Sequence, residues 1–337
     1  MAYRFPMKQV AFQAGLSLAT VDRVLNARPG VRQVTRHRVQ SAILELERQY
    51  AATGVTGRRL SLDIVMETPT RFGIAVRRAF ETELAGLRPA NVTLRFHLQE
   101  RWTDIDLSAL LTRIRRRGSH GVVLKARATP AIIEAATRLM ENRIPVATFV
   151  TDLPKRARLA YIGIDNHKAG ATVAGLMARM LHAPESDVLV TLSSARFSGE
   201  GDRALGFETE FSKAVPERKV IRAAEGMGLD LTTEGLVENK LADHPNIGAV
   251  YSVGGANRAV IRAFDRAKRQ LHVFAAHDMD RTNRALLAER QLTFVIDHDL
   301  RQDARTACQI MLHHHHMLPD EIDVAPSRFT VMTPQSL

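Results

Sequence analysis

From Leu60 onward the chain alternates short apolar runs with longer helical stretches, and this alternation restricts the fold more than any other feature. Candidate strands fall at 60–66, 92–98, 121–124, 146–149, 161–164, 188–192, 220–224, 249–253, 273–276 and 294–296. Repeated strand-helix-strand units of this kind build parallel sheets with helices on both faces. About 270 residues carrying two such sets divide into two lobes around a cleft. Ligands of these sheets sit beyond the carboxyl ends of the strands, so residues just after each strand are the first candidates for a binding site.

The first sixty residues are different in kind. They hold ten arginines and lysines against Asp22, Glu45 and Glu47, so +7 of the chain's net +11 lies in its first sixth. Such asymmetry points to a basic module with a polyanionic partner and a nearly neutral body behind it. Within it, Val10, Ala11 and Ala14 share one face of a short helix. Gly15 can take the left-handed conformation that ends that helix, and Ser17 is a good N-cap for the next. Val21, Val24 and Leu25 then turn inward, leaving Leu18, Ala19, Asp22 and Arg23 exposed. A third helix over 35–49 places Val39, Ala42, Ile43 and Leu46 on one stripe. This is a helix-turn-helix, whose second helix enters the DNA major groove.

Val10-Ala11, Ala14-Gly15, Ser17, Thr20-Val21, Arg23-Val24-Leu25-Asn26, Val31, Thr35-Arg36 and Val39 together resemble the headpiece of the lactose-repressor (LacI/GalR) family. The resemblance implies a homodimer on pseudo-palindromic, double-stranded operator DNA. Ser17, Leu18, Ala19, Thr20, Arg23, Asn26 and Arg36 would be its contacts, and Arg23 the donor to guanine. Two departures stand out. Asp22 occupies a position where the family usually has a serine, and needs a partner such as Arg23 or a cytosine amino group if it is not to repel phosphate. The segment 51–59 contains Gly54 and Gly57, which disfavour a free hinge helix.

Thr148-Phe149, Asp152-Leu153-Pro154, Tyr161 to Asn166, Gly170, Arg203 with Gly206-Phe207, Tyr251 with Gly254-Gly255, Asp278 and Asp297 resemble the sensor of the same family and the ribose-type periplasmic sugar-binding proteins. The implied architecture is a small all-α helix-turn-helix headpiece (1–50), a linker (51–59) and an α/β two-lobed, periplasmic-binding-protein-like type I domain (60–337). Its lobes would be 61–161 with 294–321, and 162–293 with 322–337. Arg203 and Asp278 are then the leading ligand contacts, followed by Phe72, Asp152 and Asp297, with Arg71, Asn257 and His298 behind them. Carboxylates and a bidentate arginine suit sugar hydroxyls, and Phe72 offers a face to sugar C–H groups. Asp165 and Asn166 belong to the lobe crossover. The effector class is a sugar, polyol or sugar acid, and the expected function is a repressor of sugar-metabolism genes.

Other chemistries find less support. Cys308 is the single cysteine, which excludes an intrachain disulfide and agrees with a reducing, cytoplasmic setting. The N-terminus lacks the pattern of a secretory signal and the chain has no long apolar span, so no membrane partner is expected. Gly254-Gly255 completes no dinucleotide fingerprint, and Ser193-Ser194 lacks the setting of a hydrolase nucleophile. His313 to His316 are consecutive and point around a helix, so no metal or cofactor is expected. The alternatives are a solute-binding protein of a sugar transporter and a sugar-acting enzyme.

Overall fold

The computed structural model describes residues 5–53, 59–87, 91–182, 186–317 and 325–337. Its first unit is a three-helix headpiece of α1 (Met7–Ala14), α2 (Leu18–Leu25) and α3 (Gln33–Thr53). Gly15 ends α1 at φ 63°, where a side chain would be strained, and the Ser17 hydroxyl caps α2 by accepting the Thr20 N–H. Val10, Ala11, Ala14, Val21, Val39, Ala42 and Leu46 close the core with Phe5. The third helix is longer than its apolar stripe predicts. It runs to Thr53 and takes in the start of the expected linker, of which 54–58 lie outside the described residues.

The first lobe holds β1 (Arg59–Glu67), α4 (Thr70–Glu83), β2 (Asn91–Gln99), α5 (Asp104–Arg117), β3 (Gly121–Lys125), α6 (Pro130–Glu141), β4 (Val146–Phe149) and β5 (Ala160–Ile162). All five strands are parallel, in the order β2-β1-β3-β4-β5. The second lobe continues with α7 (Asn166–Met180), β6 (Asp187–Thr191), α8 (Ser198–Ala214), β7 (Val220–Ala223), α9 (Asp230–Asp243), β8 (Ile247–Ser252), α10 (Asn257–Arg266), β9 (Val273–His277), α11 (Arg281–Ala288) and β10 (Phe294–His298). After α12 (Leu300–His314), β11 (Phe329–Met332) completes a sheet ordered β11-β10-β9-β8-β6-β7, antiparallel only at β11. Strands such as Val122-Val123-Leu124 are apolar without alternation because helices cover both faces.

The expected lobe boundary at 294 needs correction. β10 pairs with β9 in the second sheet, and Phe294 and Ile296 are buried in that lobe's core. The chain returns to the first lobe only afterwards, when α12 buries Ala304, Ala307, Cys308 and Met311 against the core around β1. The apolar run of β10 carries no mark of which sheet it joins. Only the pairing edge offered by β9 decides it.

Two close approaches matter for the site. A Cβ on Gly170 would lie 1.9 Å from the Arg203 carbonyl oxygen, and one on Gly206 would lie 2.1 Å from that of His167. These glycines let α7 and α8 pack backbone to backbone. Phe207 follows, buried against Phe211 and Tyr251, and fixes the rotation of α8. That packing is the physical content of the Arg203-x-x-Gly206-Phe207 pattern.

The headpiece sits on the first lobe. Phe12 stacks under the Arg95 guanidinium, 3.6 Å from the ring centre, and its carbonyl accepts from Arg95 and Arg117. Gln13 donates to the Leu94 carbonyl at 2.6 Å, and Glu45 of α3 pairs with Arg77 of α4 at 2.8 Å. Beneath Phe12, the fully buried Asp63 is bound by Arg95, Arg117, His97 and the Ser119 hydroxyl. Burial would raise this carboxyl, but the surrounding cations hold it at about 2.

Candidate functional site

The strand ends of the two lobes face each other across a cleft of about 1060 Å³, measured out to its open mouth. From the first lobe, β1 contributes Glu67, the start of α4 contributes Arg71 and Phe72, and β3 ends in Lys125. From the second, α8 supplies Glu200 and Arg203, α10 begins with Asn257, and β9 ends in His277 with Asp278 just beyond it. Among the residues lining the cleft in the left-handed region are Val150 after β4 at φ 67° and Asp278 after β9 at φ 66°. An aspartate tolerates this conformation, whereas a β-branched valine is strained there.

Arg203 is 3% exposed. Its Nε donates to the Asn166 side chain at 2.7 Å, and its Nη2 has no protein partner. Asp278 lies 3.4 Å from His298 Nδ1, and His298 Nε2 lies 3.1 Å from Asp303 on α12. Burial opposes charge on His298, yet Asp278 and Asp303 together raise it to about 10. The imidazolium, helped by Arg203, in turn overcomes burial and keeps Asp278 well below the usual carboxylate range. Asp278 is thus an ionised acceptor held only by the long contact between its Oδ1 and His298 Nδ1. Beside it, burial pushes His277 well below the ordinary histidine value. Its Nε2 meets the Tyr251 hydroxyl at 2.7 Å, leaving Nδ1 unbonded. Asn257 donates to Asn283 and keeps a free Oδ1. Such buried, unsatisfied polar atoms are costly unless something fills the space between them.

The lobes touch across the cleft. Arg71 pairs with Asp280 at 3.2 Å and donates to the Gly228 carbonyl at 3.1 Å. The Ala128 N–H donates to the Arg196 carbonyl, and the Lys125 ammonium lies 4.3 Å over the Phe197 ring.

Of the five residues expected to contact ligand, Phe72, Arg203 and Asp278 line the cleft, as do the lesser candidates Arg71 and Asn257. Asp152 and Asp297 do not. The left-handed residue at Val150 redirects the chain, so Asp152 turns back to pair with Arg158 and accept from Thr148. Asp297 lies within β10, where it accepts the Met279 N–H and helps to seat the turn after β9. His298 stands behind Asp278. Asp165 caps α7, and Asn166 both bonds the Tyr161 hydroxyl and orients Arg203. Glu67, Lys125, Glu200 and His277 were not anticipated. The one signal for Glu67, Lys125 and His277 is a charged or polar residue closing an apolar strand, as in Val122-Val123-Leu124-Lys125, whereas Glu200 sits in the first turn of α8.

On the headpiece, Leu18 is 53% exposed, and Ala19, Arg23 and Arg36 also face outward. Ser17 and Thr20 share the cap of α2, their hydroxyls 2.8 Å apart. Asp22 finds intrachain partners other than Arg23: its carboxylate pairs with Arg28 at 3.1 Å and accepts from Asn26 at 2.8 Å. Arg23 thereby stays free of ion pairs among the described residues. His313 to His316 end α12, and His315 donates to the His120 carbonyl. Among the described residues no helix is long and apolar enough to cross a membrane.

Comparison with known proteins gives the same division. A glucose-galactose binding protein from Geobacillus stearothermophilus superposes with a TM-score of 0.73 at 16% identity, over 83% of this chain and 99% of its own. The fructose-binding periplasmic domain of the hybrid two-component system BT1754 gives 0.71 at 16% identity, over 83% and 91%. A carbohydrate transporter from Acidothermus cellulolyticus 11B in complex with myo-inositol gives 0.68 at 18% identity, over 82% and 95%. At these identities the likeness shows the fold. No curated protein matches the chain in sequence. Residues 6–49 match the model of bacterial regulatory proteins of the lacI family, and residues 70–315 match that of the periplasmic binding protein domain. The chain therefore belongs to the periplasmic binding protein domain family and carries a lacI-family DNA-binding headpiece at its N-terminus.

Proposed function

We propose that this ligand-regulated, DNA-binding regulator works as a homodimeric repressor, with one α2 helix per protomer in the major groove of an operator and a sugar, polyol or sugar acid held between its lobes. The observation that carries the ligand half is the cleft itself. Arg203 Nη2, His277 Nδ1 and Asn257 Oδ1 are buried without partners beside the ionised Asp278, which is the pattern of polar groups that a polyhydroxylated molecule satisfies. Ligands of the structural neighbours, glucose-galactose, fructose and myo-inositol, are of that class. For the DNA half, the carrying observation is the exposed face of α2, where Leu18 and Ala19 offer apolar contact to a thymine methyl and Arg23 two donors to guanine. Ligand and DNA are then coupled by linkage: whichever lobe arrangement the ligand prefers, the headpieces inherit.

The test uses full-length protein. Its own promoter region should be shifted in a salt-dependent, sequence-selective manner, and a sugar-class ligand should raise the melting temperature. Arg203→Ala should remove the ligand-induced rise, and Arg23→Ala should lower operator selectivity. A protein that binds sugar but shows no selective DNA binding would support the solute-binding alternative instead.

A further inference from the structure

We infer that the effector carries a carboxylate in addition to its hydroxyls, which makes it a sugar acid of the aldonate or uronate class, its carboxylate bridging Lys125 of the first lobe and Arg203 of the second. This deepens the proposed function and rests on the cleft being the effector site.

Most of the charges lining the cleft are held by neighbouring groups. Glu67 is paired with Arg127, Arg71 with Asp280, and Asp278 with His298. Glu200 is held by the hydroxyl and N–H of Ser193. Lys125 is more than nine-tenths buried, yet no carboxylate lies within ion-pair distance of it among the described residues. Its ammonium donates once, to the Glu67 carbonyl at 2.9 Å, and otherwise faces the Phe197 ring. Burial lowers this lysine, with Glu200 the strongest opposing influence and Arg203 adding to the depression. Arg203, 3% exposed, is fixed only by the neutral Asn166 side chain and keeps Nη2 unbonded. Two buried cations thus come from opposite lobes with donors unused and, among the described residues, no carboxylate within ion-pair distance of either.

A neutral sugar hydroxyl could accept from both groups but would leave the charge of Lys125 offset only at longer range, by Glu200 foremost, which is costly in a buried setting. One carboxylate supplies the acceptor lone pairs and the missing charge together, and its two oxygens can serve two donors at once. Asn257 Oδ1 and His277 Nδ1 stand unbonded on the second-lobe wall beside the ionised Asp278, ready for the hydroxyl end. A bridging carboxylate also gives the ligand a stake in lobe closure, because it binds fully only when Lys125 and Arg203 face each other.

The experiment is a thermal-shift titration of the full-length protein with gluconate, glucuronate and galacturonate against glucose, galactose and glucitol, followed by calorimetric affinities. The expected result is a melting rise with at least one acid and a preference of roughly 10- to 100-fold over its neutral counterpart. Lys125→Met should abolish that preference and Lys125→Arg should retain it, so a loss in the first variant is not a folding defect. The inference is overturned if no acid raises the melting temperature, or if Lys125→Met leaves the acid preference intact. In either case a rise with the neutral sugars that Arg203→Ala removes would leave the cleft reading standing.

Discussion

Replacing Gly170 by alanine tests whether the backbone contact between α7 and α8 sets the position of Arg203. The added Cβ would stand 1.9 Å from the Arg203 carbonyl oxygen, 2.8 Å from its carbonyl carbon and 2.9 Å from the Phe207 nitrogen. All three are helix backbone and cannot swing aside, so α8 must retreat by more than an ångström. Overpacking of this kind costs about 1–3 kcal/mol. The retreat also loosens Phe207 from Phe211 and Tyr251, which places the cost near the top of that range. At about 2–4 °C per kcal/mol the melting temperature should drop by roughly 6–12 °C. Effector affinity should drop at least about tenfold, because Arg203 moves with its backbone. Gly175, on the same helix, is the control. Its Cβ would meet only the mobile Arg179 guanidinium at 3.5 Å, so alanine there should stabilise by about 0.5–1 kcal/mol through helix propensity alone. The two substitutions should therefore have opposite signs in thermal or urea unfolding. Equal effects, or a Gly170→Ala protein that melts as the parent does, would refute the close-packing argument.

Three further outcomes are expected. The folded-state value of His298, raised to about 10 from an ordinary 6.5, means that its stabilisation is complete below about pH 6.5 and is lost as pH rises through 10; urea midpoints should fall across that window, and His298→Asn should flatten the fall. Arg23→Ala should cost about 1–3 kcal/mol of discrimination between cognate and random duplexes in competition binding, and retention of full selectivity would remove Arg23 from the base-reading set. Phe12→Ala removes the ring on which Arg95 stacks, so the α1 amides should exchange faster with deuterium while those of β6 and β8 do not change; uniform exchange across both units would show that the headpiece is not held by this contact.

Much of the architecture was legible because its signals are local. Each candidate strand from 60 to 296 corresponds to an observed strand within about two residues at either end, since a continuous apolar run between helices has few other homes. β11 was missed: Phe329-Thr330-Val331-Met332 is short, half exposed and lacks a following helix. The side of the cleft to which β10 belongs was misplaced because sheet membership is a long-range property. The site divides in the same manner. Arg203 and Asp278 were readable from their motif and strand-end position. The rule that ligands gather beyond strand ends could not say that Val150 would adopt a left-handed turn and send Asp152 to Arg158. Nor did it single out Lys125, whose significance lies in being buried with no carboxylate within ion-pair distance among the described residues, a fact of the assembled cleft.

The connections between the units indicate how a ligand could reach the DNA-binding face. Among the described contacts the headpiece touches only the first lobe, through Phe12, Gln13 and Glu45, so whatever moves that lobe carries α2 with it. Asp278 belongs to the second lobe and faces the ligand space, but its charge is tied through His298 to Asp303 on α12 of the first lobe. Asp303 in turn accepts from Ser327, where the chain returns to the second lobe for the last time. A ligand that donates to Asp278 Oδ1 competes with His298 for the same carboxylate, and the imidazolium must then lean further on Asp303. The ion pair between Arg71 and Asp280 is subject to the same competition at the mouth of the cleft. In the proposed mechanism a ligand of Asp278 would therefore be felt at two crossings between the lobes. Its effect on the operator is bounded by how differently the ligand contacts the open and closed lobes, and a molecule that touched only one lobe would transmit nothing however tightly it bound.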